Sequence, residues 1–218
     1  MSETRDIAVM ADINAENDRR AVGIKQGLNA RGIFTINVIG APGAGKTSCL
    51  THIIEGMTDV AAYVIEGDIQ SDIDTQKLLA LGIEAVQIET GGACHIDAVL
   101  IENILDKLSL DKKGVLYIEN IGNLVCPAEF NIGEDIKMLI VTAADGADKP
   151  YKYPLAFEEA AAILLNKADL LPYVDFDMDY FMKGVRALNK NAPVFVVSAR
   201  NGDGFDGVCE WISSRLGR

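Results

Sequence analysis

The segment GAPGAGKT, from Gly40 to Thr47, constrains this chain more than any other feature of its sequence. A β-branched and aromatic run at 33–40 precedes it, and a run with a helical period at 46–57 follows it. The spacing matches G-x-x-x-x-G-K-[ST] between a strand and a helix, where a glycine backbone wraps a phosphate chain and N–H groups at the helix start donate to it. A plain glycine turn would not require every fixed position of the motif to be filled.

We therefore expect a phosphate-binding loop with a backbone cradle and two functional side chains. Lys46 is predicted as a catalytic residue that reaches the β- and γ-phosphates, and the Thr47 hydroxyl as a ligand of Mg²⁺. Further nucleotide contacts are expected from Gly40, Gly43, Ala44, Gly45 and Ser48.

Strand-like runs alternate with helical ones along the rest of the chain. Further strands are predicted at 60–68, 84–90, 114–120, 136–144, 160–169 and 192–200. Further helices are predicted at 13–32, 74–82, 94–110 and around Trp211. The strand runs show little period-2 alternation, which indicates an α/β fold with a doubly wound, mostly parallel sheet covered on both faces. Ligands of such folds bind beyond the carboxyl ends of the strands.

Length, charge and hydropathy limit the domain count and the class of partner. A chain of 218 residues can bury one substantial core, so we predict a single domain over 1–218 with an N-terminal helix at about 1–32. The net charge of -12 disfavours binding to a nucleic-acid backbone. Since no apolar run could cross a bilayer and the charged N-terminus is unlike a signal peptide, we expect a cytoplasmic protein without membrane contact.

Two short segments after the last strands indicate which base is bound. The carboxylate of Asp169, in NKAD, can accept hydrogen bonds from N1–H and the 2-amino group of guanine, a donor pair that adenine lacks. The Ala199 amide, in SAR at 198–200, is placed to contact the guanine O6. We therefore favour GTP over ATP, and a P-loop kinase or ATPase is the alternative. The predicted base site consists of Asn166, Lys167, Asp169, Ser198 and Ala199.

Acidic residues after two strands are candidates for the nucleotide switches. Glu119 ends a strand and Gly122 follows three residues later, which resembles the D-x-x-G switch of GTPases with Glu in place of Asp. We expect Glu119 to be a catalytic residue whose carboxylate holds the Mg²⁺ shell, and the Gly122 amide to bind the γ-phosphate. A solvated acid at a strand end is the alternative. Asp68 is our first choice for a first-switch carboxylate near Mg²⁺, while Asp72 and Asp74 could be surface acids.

Cys94 and His95 are adjacent in a chain that contains only 4 Cys and 2 His. Thiols and imidazoles are common ligands of borderline-soft divalent ions, and Cys126 lies just past Gly122. Because the preceding strands are both predicted to be parallel, their following loops emerge at one edge, where these three side chains can converge. A tetrahedral ion would lack one ligand, which a second chain related by a twofold could supply. The alternative is a buried Cys beside an exposed or capping His.

The other cysteines and the second histidine have apolar helical surroundings. Cys49 and Cys209 are predicted to be small core residues, and His52 is predicted to pack. The four scattered thiols do not form a disulfide framework.

Several blocks together resemble one known family. They are GAPGAGKT, EGDIQSDIDT, GGACHIDA, VLYIENIGNLVCPAEF, DKPYKYP and LLNKADLLPYV. The pattern is similar to that of the HypB family, hydrogenase maturation GTPases that help to insert nickel into [NiFe]-hydrogenase and that are related to the urease accessory GTPases. The likeness covers nearly the whole chain, and the ENIGNLVCP and CHID blocks are more specific than the general GTPase motifs.

The resemblance implies a P-loop NTPase of the SIMIBI type that hydrolyses GTP to GDP slowly and forms a homodimer when GTP is bound. It also implies a Ni²⁺ or Zn²⁺ site at the dimer interface, with Cys94, His95 and Cys126 of each chain as ligands. By the same analogy the partners are a nickel-delivery protein and the hydrogenase large subunit. Lys149 matches a family lysine, and it is either a contact across the dimer or a solvated loop residue.

The chain departs from the family at its N-terminus, which contains neither the Cys-rich nor the His-rich motif of some members. We therefore expect nickel handling at the Cys–His–Cys site alone, without nickel storage. A different interpretation is a regulatory GTPase whose Cys and His cluster is structural or idle.

Overall fold

The structure is a computed structural model that describes residues 3–67, 78–79, 82–88 and 91–216, with the side chains of the N-terminal helix described from Asn14 onward. The helix predicted at 74–82 lies mostly outside these ranges and stays a prediction.

Within the described residues, seven parallel strands form one sheet with the order β3-β2-β4-β1-β5-β6-β7. The strands are β1 Ile33–Gly40, β2 Ala61–Glu66, β3 Glu84–Gln87, β4 Gly114–Glu119, β5 Ile136–Thr142, β6 Ala160–Asn166 and β7 Val194–Val196. Since β1 lies between β4 and β5, the phosphate loop that follows it occupies the middle of the carboxyl edge. The predicted doubly wound parallel sheet is confirmed.

Eight α-helices are assigned within the described residues. They are α1 Glu3–Ala30, α2 Lys46–Gly56, α3 Ala98–Leu105, α4 Cys126–Glu129, α5 Lys149–Lys152, α6 Pro154–Glu158, α7 Met178–Leu188 and α8 Phe205–Ser213. Two 3₁₀ segments, Ala143–Asp145 and Ala168–Tyr173, follow β5 and β6. Among the described helices, none combines the length and apolar character that a membrane span requires.

Helices cover both faces of the sheet because alternate residues of the central strand point to opposite sides. Val38 packs in a cluster with Leu50 of α2, and α8 belongs to the same cluster. The next residue, Ile39, packs instead with Phe157 of α6, while Ile33 joins the cluster formed by α1 and α3. Burial on both faces explains the continuous apolar strand runs of the sequence.

The helix predicted at 94–110 is shorter than its apolar period indicates. It begins at Ala98 because the Asp97 side chain accepts a hydrogen bond from the Leu100 N–H at 2.8 Å, which caps the helix start. It ends at Leu105. Cys94 and His95 therefore lie before the helix, in irregular backbone.

Three further differences concern the second half of the sheet. The strand predicted at 160–169 ends at Asn166, where Lys167 adopts a left-handed conformation with φ of 59°. The strand predicted at 192–200 is reduced to β7, and the strand predicted at 136–144 ends at Thr142. The sequence analysis also missed α7, which packs Phe181 and Val185 into the third core cluster.

Candidate nucleotide and metal site

The phosphate loop turns tightly between β1 and α2. Gly45 precedes α2 with φ of 85°, and a Cβ atom at this position would lie 2.6 Å from the Asn166 amide nitrogen. Only glycine combines a left-handed backbone with this close approach. N–H groups at the start of a helix can donate to a phosphate that binds at this turn.

A cavity of about 340 Å³ lies at the start of α2, where the ends of β2 and β4 meet the phosphate loop. Lys46 faces this cavity although it is only 8% exposed, and its Nζ lies 4.0 Å from Oε1 of Glu119. The Thr47 hydroxyl donates to the same carboxylate oxygen at 3.1 Å. A hydroxyl and a carboxylate side by side are hard oxygen donors, so these residues fit a Mg²⁺ ion.

The segment after β4 runs back against the phosphate loop. A Cβ atom on Gly122 would lie 2.8 Å from the Pro42 ring, and Asn123 forms an isolated antiparallel bridge with Gly40. The predicted γ-phosphate sensor is therefore packed directly on the loop predicted to bind phosphate.

The acidic residues proposed for the first switch, Asp68, Asp72 and Asp74, lie outside the described residues. Gly67 is the last described residue before them, and its N–H donates to the Glu119 carbonyl at 2.8 Å. The choice among the three carboxylates stays a prediction.

Asn166 joins the predicted base site to the phosphate loop. Its Nδ2 donates to the Ala44 carbonyl at 2.9 Å, and its Oδ1 accepts from the Ala199 N–H at 3.0 Å. Lys167 reaches the same loop, with its Nζ donating to the Gly43 carbonyl at 2.8 Å. These contacts place the two motifs of the base site together.

Groups of the predicted base site also contact one another, and their contacts with guanine stay predictions. The Ala199 N–H, predicted to contact guanine O6, donates to Asn166 in this structure, and the Asp169 carboxylate accepts from the Ser198 hydroxyl at 2.7 Å. His52 does pack, stacking on Phe205, but its Nε2 also lies 2.8 Å from the Ala199 carbonyl. The sequence analysis missed this second contact, which fixes the loop at 198–200, called the base loop below, to α2.

Cys94, His95 and Cys126 converge as the parallel strands predict. The Cys94 Sγ lies 3.4 Å from Nδ1 of His95 and 3.4 Å from Sγ of Cys126. All three potential ligand atoms lie within 4.8 Å of one another. Two thiols and one imidazole at this spacing can bind one divalent ion, and their role as ligands stays a prediction.

The surroundings of the cluster affect its protonation. The His95 ring stacks on Phe130 with centroids 4.0 Å apart, and burial lowers the pKa of His95, which favours the neutral imidazole that binds metal. The hydrogen bond with Cys94, followed by burial, raises the pKa of the Cys126 thiol. A bound ion would have to displace the thiol protons, because the thiolate is the form of cysteine that binds metal.

Two asparagines that the sequence analysis did not assign hold the loop before α3. The buried Asn120 accepts from the Ile96 N–H at 3.1 Å and donates to Oδ1 of Asn37 at 3.1 Å. Asn123 donates to the Cys94 carbonyl at 3.1 Å. Both asparagines belong to the ENIGN block, and their partners are distant in sequence.

The remaining candidates lie away from this cluster. Cys49 and Cys209 are buried among apolar residues, and burial raises the pKa of the Cys49 thiol to about 12. The Lys149 ammonium lies 5.4 Å from the Tyr153 ring centroid, at the start of α5.

Comparison with known proteins identifies the family. A family model described as the CobW/HypB/UreG nucleotide-binding domain matches residues 34–196. The hydrogenase maturation factor HypB of Azotobacter vinelandii is 43% identical over 219 residues, which cover 100% of this chain and 72% of that protein. The chain belongs to the HypB family. HypB of Escherichia coli K12 is 39% identical over 216 residues, covering 99% of this chain and 74% of that protein.

A solved HypB structure has the same fold. The crystal structure of HypB from Helicobacter pylori in complex with nickel superposes with a TM-score of 0.87 at 32% identity, covering 92% of this chain and 95% of that one. This chain is thus a P-loop protein of a hydrogenase maturation family, which supports nucleotide hydrolysis in general.

Proposed function

We propose that this protein is a GTP-hydrolysing metallochaperone that binds Ni²⁺ or Zn²⁺ at a GTP-dependent dimer interface and assists nickel insertion into [NiFe]-hydrogenase. One observation carries the proposal: Gly122 packs on the phosphate loop, and Cys126, four residues later, meets Cys94 and His95. The relatives named as hydrogenase maturation factors and the nickel complex of HypB from Helicobacter pylori support it.

The nucleotide chemistry follows from the residues around the phosphate loop. Lys46 binds the β- and γ-phosphates, while Thr47 and Glu119 offer oxygen atoms to Mg²⁺, with Asp68 as a further candidate. The ion neutralises the negative charge of the phosphates. Gly122 donates its N–H to the γ-phosphate and loses that contact on hydrolysis. Phosphoryl transfer needs positioning and charge neutralisation above all, which these groups supply.

Guanine recognition depends on Asp169, and this can be tested by changing the base. An Asp169→Asn variant should lose affinity for GDP and gain affinity for xanthosine diphosphate, because the amide can donate to the 2-oxo group of xanthine. Nucleotide competition measured by fluorescence would show the exchange, with Asp206→Asn in α8 as the control. If ATP competes with GTP at comparable affinity in the unmodified protein, the role given to Asp169 is wrong, and a P-loop kinase or ATPase remains the alternative.

The metal chemistry rests on a thiol pair and one imidazole. Such ligands suit both Ni²⁺ and Zn²⁺, and three of them leave a tetrahedral ion one ligand short. A second chain can complete the coordination through a twofold interface. Val125, directly before Cys126, is 54% exposed and would be covered by such a partner. We place the protein in the cytoplasm, where the thiols stay reduced.

Metal titration separates this proposal from a regulatory GTPase with an idle cluster. Cys94→Ala, His95→Ala and Cys126→Ala should each weaken nickel and zinc binding at least about tenfold, because changes to outer-shell groups alone often cost that much. Their affinity for GDP should be unchanged. Cys209→Ala, which removes a thiol from the core, is the matched control. Undiminished metal binding in the first three variants would leave only the regulatory interpretation.

GTP hydrolysis is coupled to release of the metal ion through the segment that follows β4. Loss of the γ-phosphate contact at Gly122 shifts Cys126 and weakens the metal site, so the ion passes on. The proposed partners, a nickel-delivery protein and the hydrogenase large subunit, follow from the family alone.

A further inference from the structure

The Asn123 side chain touches both segments that carry the predicted metal ligands. Its Nδ2 donates to the Cys94 carbonyl at 3.1 Å, and its Oδ1 accepts from the Val125 N–H at 2.9 Å. Val125 directly precedes Cys126. One amide group therefore links the backbone of Cys94 to the backbone of the residue before Cys126.

The backbone of Asn123 is tied to the phosphate loop. It pairs with Gly40, and its neighbour Gly122 is so close to Pro42 that an added Cβ atom would approach to 2.8 Å. Gly122 and Asn123 are adjacent in the chain. A displacement of Gly122 away from the phosphate loop would therefore break the pairing of Asn123 with Gly40 and move Asn123 as well.

A second asparagine holds the same loop by a buried contact. Asn120 is 1% exposed and accepts from the Ile96 N–H at 3.1 Å, while the contact between Asn123 and Cys94 is exposed to solvent. The buried contact fixes the base of the Cys94 loop, and the exposed contact positions its tip. The exposed contact is the one that can break and re-form at little cost, because water can replace either partner.

We propose that Asn123 is the positioning residue that transmits the state of the nucleotide to the metal site. With the γ-phosphate bound, its side chain holds Cys94 and Cys126 at ligand spacing, and after hydrolysis it moves with Gly122 and the spacing is lost. This rests on the proposed function, since it requires the Cys–His–Cys site to bind metal more tightly in the GTP state.

The substitution Asn123→Asp tests the contact to Cys94 alone. A carboxylate still accepts from the Val125 N–H, but it cannot donate to the Cys94 carbonyl and instead repels it. Asn123→Ala removes both contacts. Asn131→Asp is the matched control, because Asn131 makes the same turn, accepting from the N–H two residues later, of Gly133, at 2.9 Å.

Nickel affinity would be measured by equilibrium titration of each full-length protein with GDP and with a non-hydrolysable GTP analogue. The unmodified protein and Asn131→Asp should bind nickel at least about fivefold more tightly with the analogue, a typical allosteric coupling. In both Asn123 variants the affinity with the analogue should fall to within about twofold of the GDP value, while the affinity with GDP stays unchanged.

Three other results of this titration would contradict the proposal, and they can be told apart. A uniform loss of nickel affinity with both nucleotides would overturn the proposal by giving Asn123 a merely structural role. A full fivefold difference retained in Asn123→Asp would overturn it while leaving the proposed function intact. Absence of any difference in the unmodified protein would overturn both.

Discussion

Single side chains in this protein hold backbone groups of neighbouring loops, and Asn166 is the clearest case. It belongs to the motif predicted to bind the base, yet both ends of its amide are engaged by Ala44 and Ala199. Its buried amide therefore fixes the base loop relative to the phosphate loop. In the proposed function, recognition of guanine itself then depends chiefly on Asp169.

His52 supports the same loop from α2. His52→Ala should weaken binding of GDP by about 3- to 10-fold, because a hydrogen bond to the Ala199 carbonyl contributes roughly 0.5–1.5 kcal/mol. Fluorescence titration with a labelled guanine nucleotide would measure the change. His95→Ala removes the other histidine and should leave GDP affinity as it was. Equal affinities in the two variants would mean that His52 only packs.

At the scale of elements, the sequence predicts strands better than helix boundaries. The strands are recognisable because burial on both faces makes each of them a continuous apolar run. The helix predicted at 94–110 is too long because the apolar period does not show that Asp97 caps the chain just before Ala98. A similar signal identifies α7, since the Asp177 side chain accepts from the Tyr180 N–H at 2.9 Å, but the sequence analysis did not use it.

The candidate site shows a similar contrast between what the sequence predicts and what it does not. The phosphate loop and NKAD could be recognised in the sequence because the residues of each motif are adjacent. The asparagines at 120 and 123 could not be assigned from the sequence because their partners, Ile96 and Cys94, lie 24 and 29 residues away. Only the strand order brings these segments together.

An asparagine also strengthens the attachment of α1 to the rest of the fold, which the apolar cluster with α3 provides. Asn17 is buried, donates to the Asn131 carbonyl at 2.8 Å and accepts from the Ala98 N–H at 2.9 Å. Asn17→Ala should lower the free energy of unfolding by about 1.5–3 kcal/mol, because the buried N–H at the start of α3 loses its acceptor.

Urea denaturation would measure that loss, with the exposed Asn191→Ala as a control expected to change stability by less than about 0.5 kcal/mol. A single cooperative transition is expected, in line with the prediction of one domain over 1–218. Separate melting of α1 would contradict that prediction.

At the scale of the whole molecule, the phosphate loop and the thiol cluster lie at one edge of the sheet. The segment from Glu119 to Cys126 contacts both, since it begins beside Lys46 and ends beside Cys94. The residue beside Lys46 and the predicted metal ligand Cys126 are thus seven residues apart along the chain. Their closeness makes a mechanical coupling physically reasonable without any large domain movement.

The most direct test of this account is the nickel affinity of the unmodified protein with GDP and with a non-hydrolysable GTP analogue. We expect binding at least about fivefold tighter with the analogue, because the γ-phosphate holds the segment that ends at Cys126. Identical affinities in the two states would contradict the account, since the nucleotide would then have no influence on the metal.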